Sequence, residues 1–220
     1  MTESVPTKTV SPWRPFLLTG LAVLIAGACA MLWTEKKVVR AVISDTVGIY
    51  NVEQLAQPIR FAAEESGVDA ELLAALVYME SRGKVDAKSS AGALGLMQLM
   101  PDAASDAATR LGIVDVPTEE QLLTDGPLNL RLGAGHLAWL LEHRGEWTLE
   151  QVLVAYNGGR QKLFRWIRRA GSYAEWVRLE EAREAAGGGA TGALSYARKA
   201  LQVRERFVER GTIRVPSLGE

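Results

Sequence analysis

Glu80 is the side chain whose type and spacing best suit it to move a proton. It stands in the stretch Asp69 to Pro101, DAELLAALVYMESRGKVDAKSSAGALGLMQLMP. Leu72, Leu73, Leu76 and Val77 recur there at helical spacing and mark an apolar face. Glu80 lies four residues after Leu76 and seven after Leu73, so it points along that same face. Asp69 is placed to cap the first free N–H groups, and Arg82-Gly83 must end the helix. The carboxyl therefore sits near a helix C-terminus, where the dipole disfavours negative charge. Desolvation acts the same way, and both favour a protonated carboxyl that can serve as a general acid at neutral pH. On spacing alone the alternative is a Glu80 that simply reaches solvent at a frayed helix end.

Three motifs weigh on that choice. Glu80-Ser81 is followed by Ser90-Ala91-Gly92-Ala93-Leu94-Gly95-Leu96-Met97-Gln98-Leu99-Met100-Pro101, and much later by Ala155-Tyr156-Asn157-Gly158-Gly159. In this order they resemble the soluble lytic transglycosylase family, over about residues 57–207. The resemblance implies that Glu80 is the catalytic residue. It also implies substrate contacts for Ser81, Met97, Gln98, Tyr156 and Asn157, and for Tyr196, which matches the family's late tyrosine. Leu194 and its neighbours depart from the family pattern there, so a core role for Tyr196 stands beside the functional one. Gln98 has donors and an acceptor for an acetamido group or hydroxyl. Met97 offers polarizable contact to a sugar face or, equally, core packing. Gly92 and Gly95 allow close backbone approach, and Ser81 could only close the helix.

Glycoside cleavage ordinarily needs two carboxyl groups. The nearest further acids are Asp86, in a loop, and Asp102, just after Pro101; neither reads as a nucleophile. The resemblance implies a route that needs only one. Glu80 protonates the oxygen between N-acetylmuramic acid and N-acetylglucosamine, and the sugar's acetamido group eases the developing charge. Glu80 then takes the proton of the muramyl 6-hydroxyl, which closes onto the anomeric carbon to give a 1,6-anhydro end. A hydrolytic muramidase on the same fold and a non-catalytic peptidoglycan-binding scaffold are the rivals.

The elements that must position these residues are mainly helices. Pro58 to Ser66 reads as a short helix ended by Gly67, and the Glu80 helix follows. Residues 83–100 lack helical period and are expected to be loop with short extended pieces, where the resembled fold carries a small β element. Pro101 to Leu111 is a helix. Thr118 with Gln121, and Thr148 with Gln151, are capping pairs for two more. Asp125-Gly126-Pro127 reads as a turn before a long buried helix, Leu128 to His143, in which Gly133 and Gly135 imply a closely packed neighbouring backbone. Helices at Lys162 to Ala170, Tyr173 to Ala186 and Ala193 to Glu209 complete the chain. The fold class is thus a mainly α, lysozyme-like (α+β) domain with a small β element, plus an N-terminal transmembrane helix.

The chain has 220 residues, 48% of them hydrophobic and 23% charged, which is enough for one packed domain and a short extra segment. Its net charge of −1 gives no basic field for nucleic acid. Cys29 is the sole cysteine, so an internal disulfide and thiol chemistry in the folded domain are excluded. His136 and His143 have no acidic cluster at ligand spacing, so they read as structural or exposed, and no metal or other cofactor is expected. Residues 1–15 read as a disordered tail. Phe16 to Trp33, FLLTGLAVLIAGACAMLW, carries no charge. It admits three readings: a signal-anchor span, a signal peptide cleaved near Ala26-Gly27-Ala28, or lipid attachment at Cys29. The apolar run persists past Cys29 and favours the anchor. Lys8 and Arg14 before it, against Lys36, Lys37 and Arg40 after it, lean toward a cytoplasmic C-terminal side. The resemblance demands the periplasmic side, because the substrate is the cell wall. The expected organisation is tail 1–15, inner-membrane span 16–33, juxtamembrane connector 34–57, periplasmic domain 58–210 and C-terminal tail 211–220. Expected partners are peptidoglycan strands and the inner membrane, with envelope machinery a further candidate. The cluster Arg160, Lys162, Arg165, Arg168 and Arg169 reads as a solvated helix face or a surface for anionic wall or lipid groups.

Overall fold

The computed structural model describes residues 36–214. The expected span at 16–33, its cysteine and most of the C-terminal tail lie outside the described residues. Among the described residues no helix is long and apolar enough to cross a membrane. The chain divides into two compact units, Met1–Thr46 and Val47–Glu220. Helical backbone (α1) covers 36–54. In the first unit it leaves Val38, Val39, Val42 and Ile43 exposed, and Thr46 donates its hydroxyl to the Val42 carbonyl at 2.9 Å.

The second unit begins earlier than the expected boundary at residue 58. Ile49 and Val52 are buried in its core, and a Cβ at Gly48 would meet Tyr78 Cε2 at 3.0 Å. Much of the stretch read as a connector is therefore part of the domain. Nine further helices follow among the described residues: α2 Ala56–Ser66, α3 Ala70–Ser81, α4 Pro101–Arg110, α5 Glu119–Thr124, α6 Gly126–Glu142, α7 Leu149–Gly158, α8 Arg160–Ala170, α9 Tyr173–Ala185 and α10 Ala193–Arg210. The expected small β element is reduced to two isolated antiparallel bridges, Lys88 with Leu94 and Leu94 with Leu99.

Local signals set most helix ends. Asp69 caps α3 by accepting the Leu72 N–H at 2.6 Å, and Gly67 closes α2 in the left-handed region at φ 67°. Thr118 with Gln121 and Thr148 with Gln151 form complete capping boxes. Asp125-Gly126-Pro127 is not a separate turn: Asp125 caps α6 by accepting the Leu128 N–H at 2.9 Å. Pro127 sits in the first turn of α6, where its missing N–H costs no helical bond.

Helix α3 runs through the middle of the core. Periodicity predicts one apolar face, yet every residue from Glu71 to Tyr78 is buried. The reason is packing on both sides, against α2 and α10. The C-terminal end is also tied in. Ile213 is fully buried, its carbonyl accepts from Arg60 at 3.1 Å, and Arg214 pairs with the buried Glu71. The part of the expected tail up to Arg214 thus seals the core rather than trailing from it.

Gly133 answers the expectation of close packing on α6, with a side chain rather than a backbone as the neighbour. A Cβ there would stand 2.4 Å from Met97 Cγ. Gly133→Ala is expected to overpack this contact and lower unfolding free energy by about 1–3 kcal/mol, measured by urea denaturation.

Candidate active site

Glu80 is the penultimate residue of α3, and Arg82 ends that helix in the left-handed region at φ 53°. The helix is buried and apolar from Leu72 to Val77, and its last turn carries the carboxyl out of the hydrophobic interior to the edge of a cleft of about 370 Å³. Gln98, Met100, His136, Tyr156 and Asn157 line this cleft with Glu80. Burial holds the Glu80 carboxyl above the usual carboxylate range, and a hydrogen bond from Tyr196 partly opposes that shift. Tyr196, on α10, donates its hydroxyl to Glu80 Oε1 at 2.5 Å. Burial, then the Glu80 charge, pushes the Tyr196 phenol well up, so it remains a donor. The late tyrosine therefore meets the acid despite the altered residues before it.

The loop motif folds into a tight turn. Leu94 and Leu99 exchange both backbone hydrogen bonds at 3.0 Å. Gly95 and Gln98 take positive φ, 75° and 47°; a glycine adopts this freely, whereas for Gln98 it is an uncommon, strained conformation. The turn sends Leu96 and Met97 into the core, both buried, and turns Gln98 to the cleft. Gln98 Nε2 donates to the Ala87 carbonyl at 2.9 Å and the Gly95 carbonyl at 3.0 Å. Both N–H groups are thus engaged, which fixes the amide orientation and leaves Oε1 to meet a ligand. Gln98 offers the cleft an acceptor, a narrower role than the donor and acceptor expected.

Asn129, fully buried on α6, staples this turn. It accepts the Met97 N–H at 2.8 Å and donates to the Leu94 and Leu122 carbonyls, each at 3.0 Å. A Cβ at Gly95 would stand 2.2 Å from Asn129 Nδ2, so glycine is required there for space as well as for φ.

Tyr156 and Asn157 come from the end of α7, before Gly159 stops it. The Tyr156 hydroxyl donates to the Met97 carbonyl at 3.3 Å. Burial and then the Glu80 charge raise its pKa well above the phenol range. Asn157 is exposed at the cleft wall. Two of the expected contact residues point elsewhere. The buried Ser81 hydroxyl donates to the Val77 carbonyl at 3.1 Å, and Met97 packs under Gly133. Both support the site from behind rather than line it.

Among the described lining residues Glu80 is the one carboxylate; Asp86 and Asp102 are exposed and lie outside the lining. Among the described residues no group of three or more His, Cys, Asp or Glu is placed to hold a metal ion. The basic residues of α8 are in part organised by aromatics, with Arg160 lying over Trp139, Trp147 and Phe164. Sequence reasoning missed Ser89, Met100 and His136 in the cleft wall. A signal existed for His136, which lies one helical turn beyond Gly133, the glycine already marked for close packing.

A carboxyl whose pKa burial raises, oriented by one phenol, can give a proton to a bound oxygen and later take one back. Tyr196→Phe removes the bond that favours the ionised form, so the Glu80 pKa should rise further. The alkaline limb of activity then moves to higher pH, and the rate falls about tenfold through loss of orientation. A pH–rate profile of the variant checks both.

The family model of the transglycosylase SLT domain matches residues 57–179. The chain is 34% identical over 112 residues to the membrane-bound lytic murein transglycosylase E of Buchnera aphidicola subsp. Acyrthosiphon pisum (strain APS), covering 49% of this chain and 51% of that protein. It thus spans about half the length of that relative. An inactive mutant of the lytic transglycosylase Slt from Pseudomonas aeruginosa superposes with a TM-score of 0.58 at 23% identity, over 73% of this chain and 25% of that one. The 70-kDa soluble lytic transglycosylase of Escherichia coli gives 0.57 at 19% identity, over the same shares. At these identities the two structures establish the fold, which is mainly helical and lysozyme-like.

Proposed function

The chain belongs to the transglycosylase SLT domain family, and from that premise we propose that it cleaves the glycan strands of peptidoglycan without consuming water. The observation that carries this reading is one carboxyl, Glu80, held above the usual carboxylate range and bonded by Tyr196 in a cleft whose described lining has no second acid. An ordinary two-carboxylate mechanism has no base or nucleophile here. Protonated Glu80 gives its proton to the oxygen joining N-acetylmuramic acid to N-acetylglucosamine, and the anomeric C–O bond breaks. The acetamido carbonyl oxygen of the same sugar supports the positive carbon. Ionised Glu80 then takes the proton from the muramyl 6-hydroxyl as O6 bonds to C1. The carboxyl ends protonated, and the strand ends in a 1,6-anhydro ring. Gln98 Oε1 accepts from an acetamido N–H or a hydroxyl, and Asn157, also in the lining, meets the sugar.

Zymography of the chain on purified cell wall tests the activity. A clearing zone that is lost with Glu80→Gln supports it; no clearing by the wild type, or equal clearing by both, overturns it. A hydrolytic muramidase would use the same acid and is separated by the mass of its products.

The place of action is the envelope. The uncharged run Phe16 to Trp33 and the membrane-bound relative support tethering to the inner membrane, with the catalytic domain in the periplasm. There it would cut strands locally, in reach of envelope machinery. Protease added to spheroplasts should remove the domain; protection of the domain until lysis contradicts this orientation.

A further inference from the structure

His136 stands in the cleft wall with no part in the reaction steps above. Its ring stacks on Trp139, with centroids 6.2 Å apart and planes 21° from parallel, and tilts against Tyr156 at 5.6 Å. Two aromatic contacts fix its orientation. Nδ1 is buried and has no hydrogen-bond partner. Nε2 is not buried in this way and has no protein partner among the described residues, so the ring edge left to the cleft is the Nε2 edge. A neutral imidazole carries one N–H. A proton on Nδ1 would be a buried donor without an acceptor, which is the costlier arrangement. On this accounting the Nε2–H tautomer is assigned. Burial and the nearby Arg110 lower the His136 pKa, consistent with a neutral ring.

Of the other polar side chains lining the cleft, Ser89 and Asn157 can also donate to a carbonyl. Gln98 faces the cleft with an acceptor, and Tyr156 and Tyr196 donate to Met97 and Glu80. Tyr156 touches the imidazole and also feels the Glu80 charge. The donor lines the same cleft as Glu80, where substituents of a bound sugar come within its reach. Resting on the glycan-cleaving reading above, we propose that His136 is a specificity-determining residue whose Nε2–H binds a carbonyl oxygen of an N-acyl or lactyl-amide substituent on a sugar next to the scissile bond.

Two variants separate this role from packing. His136→Phe keeps an aromatic ring against Trp139 and Tyr156 but has no donor. His136→Gln gives up the ring and can present an amide N–H near the Nε2 position. Steady-state rates on soluble, purified glycan strands are measured for the full chain, with melting temperatures to compare folding. We expect His136→Phe to raise KM about tenfold with kcat within about twofold, and His136→Gln to return KM to within about threefold of wild type. An unchanged KM in His136→Phe overturns the proposal. Equal KM increases in both variants also overturn it, because they assign the residue to packing alone. Glu80→Gln is run alongside: if that variant stays active, the glycan-cleaving mechanism fails, whatever His136 does.

Discussion

Glu80→Gln should lower the release of soluble glycan by about 10²–10⁴-fold and make the folded domain more stable at neutral pH. Both effects follow from the same environment. The carboxyl is partly buried at the end of a helix that is buried from Glu71 to Tyr78, and burial raises its pKa. Glutamine keeps the shape and can still accept the Tyr196 hydroxyl, but it has no proton to deliver. The folded state binds the Glu80 proton more tightly than the unfolded chain does. Between the unfolded and folded pKa values the native state therefore holds more protons, and stability falls as pH rises through that window. At neutral pH the wild type carries the cost of an ionisable group in a poor place for charge, and the amide does not. Below the ordinary carboxylate range both side chains are neutral and the difference should vanish. Thermal melts at neutral and acidic pH, with product release measured on the same samples, check the pair of effects. A variant that is inactive and less stable at neutral pH would point to a damaged fold instead.

Asn129→Leu should have the largest effect on stability. The side chain is fully buried and satisfies three backbone groups. Leucine is close in size but offers no polar atom. The Leu94 carbonyl keeps the Leu99 N–H, but the Met97 N–H loses its acceptor and the Leu122 carbonyl its Asn129 donor. Each buried backbone group left unpaired costs about 1–3 kcal/mol, so a loss of about 2–4 kcal/mol is expected. For a domain of this size that is a fall of roughly 5–15 °C in melting temperature. The turn from Gly95 to Gln98 should loosen with it. Activity should drop even at temperatures where the variant is folded, because Gln98 already sits at an uncommon positive φ that its surroundings must enforce. Differential scanning calorimetry with rates taken well below the transition checks both parts.

What the sequence disclosed depended on whether the signal was local. Asp69, Gly67, Thr118 and Thr148 declare helix ends through bonds within three or four residues, and the structure has those ends. Glu80 declared itself as a charge in an apolar register. The full burial of α3 was not legible, because it depends on α2 and α10, whose partners are set by the whole fold. The same holds for Ile213, which reads as tail residue and packs as core. In the site, the Gly-Leu-Met-Gln run was recognisable, but its division of labour was not. Only the turn geometry shows Met97 pointing inward and Gln98 outward. Ser81 shares a motif with the acid yet bonds back to its own helix. His136 reads as structural or exposed because no acidic cluster stands at ligand spacing from it, and its place beside Tyr156 comes from a contact between distant segments.

One measurement reaches the central claim, that a single carboxyl carries the cleavage because the substrate supplies the attacking hydroxyl. Purified peptidoglycan is digested in water enriched in heavy oxygen, and the released muropeptides are weighed by mass spectrometry. Transglycosylation predicts products that lack one water relative to hydrolysed ends and carry no heavy oxygen at the new anomeric carbon. Products one water heavier, labelled at that carbon, would show that water attacks, and the single-carboxyl account would fail.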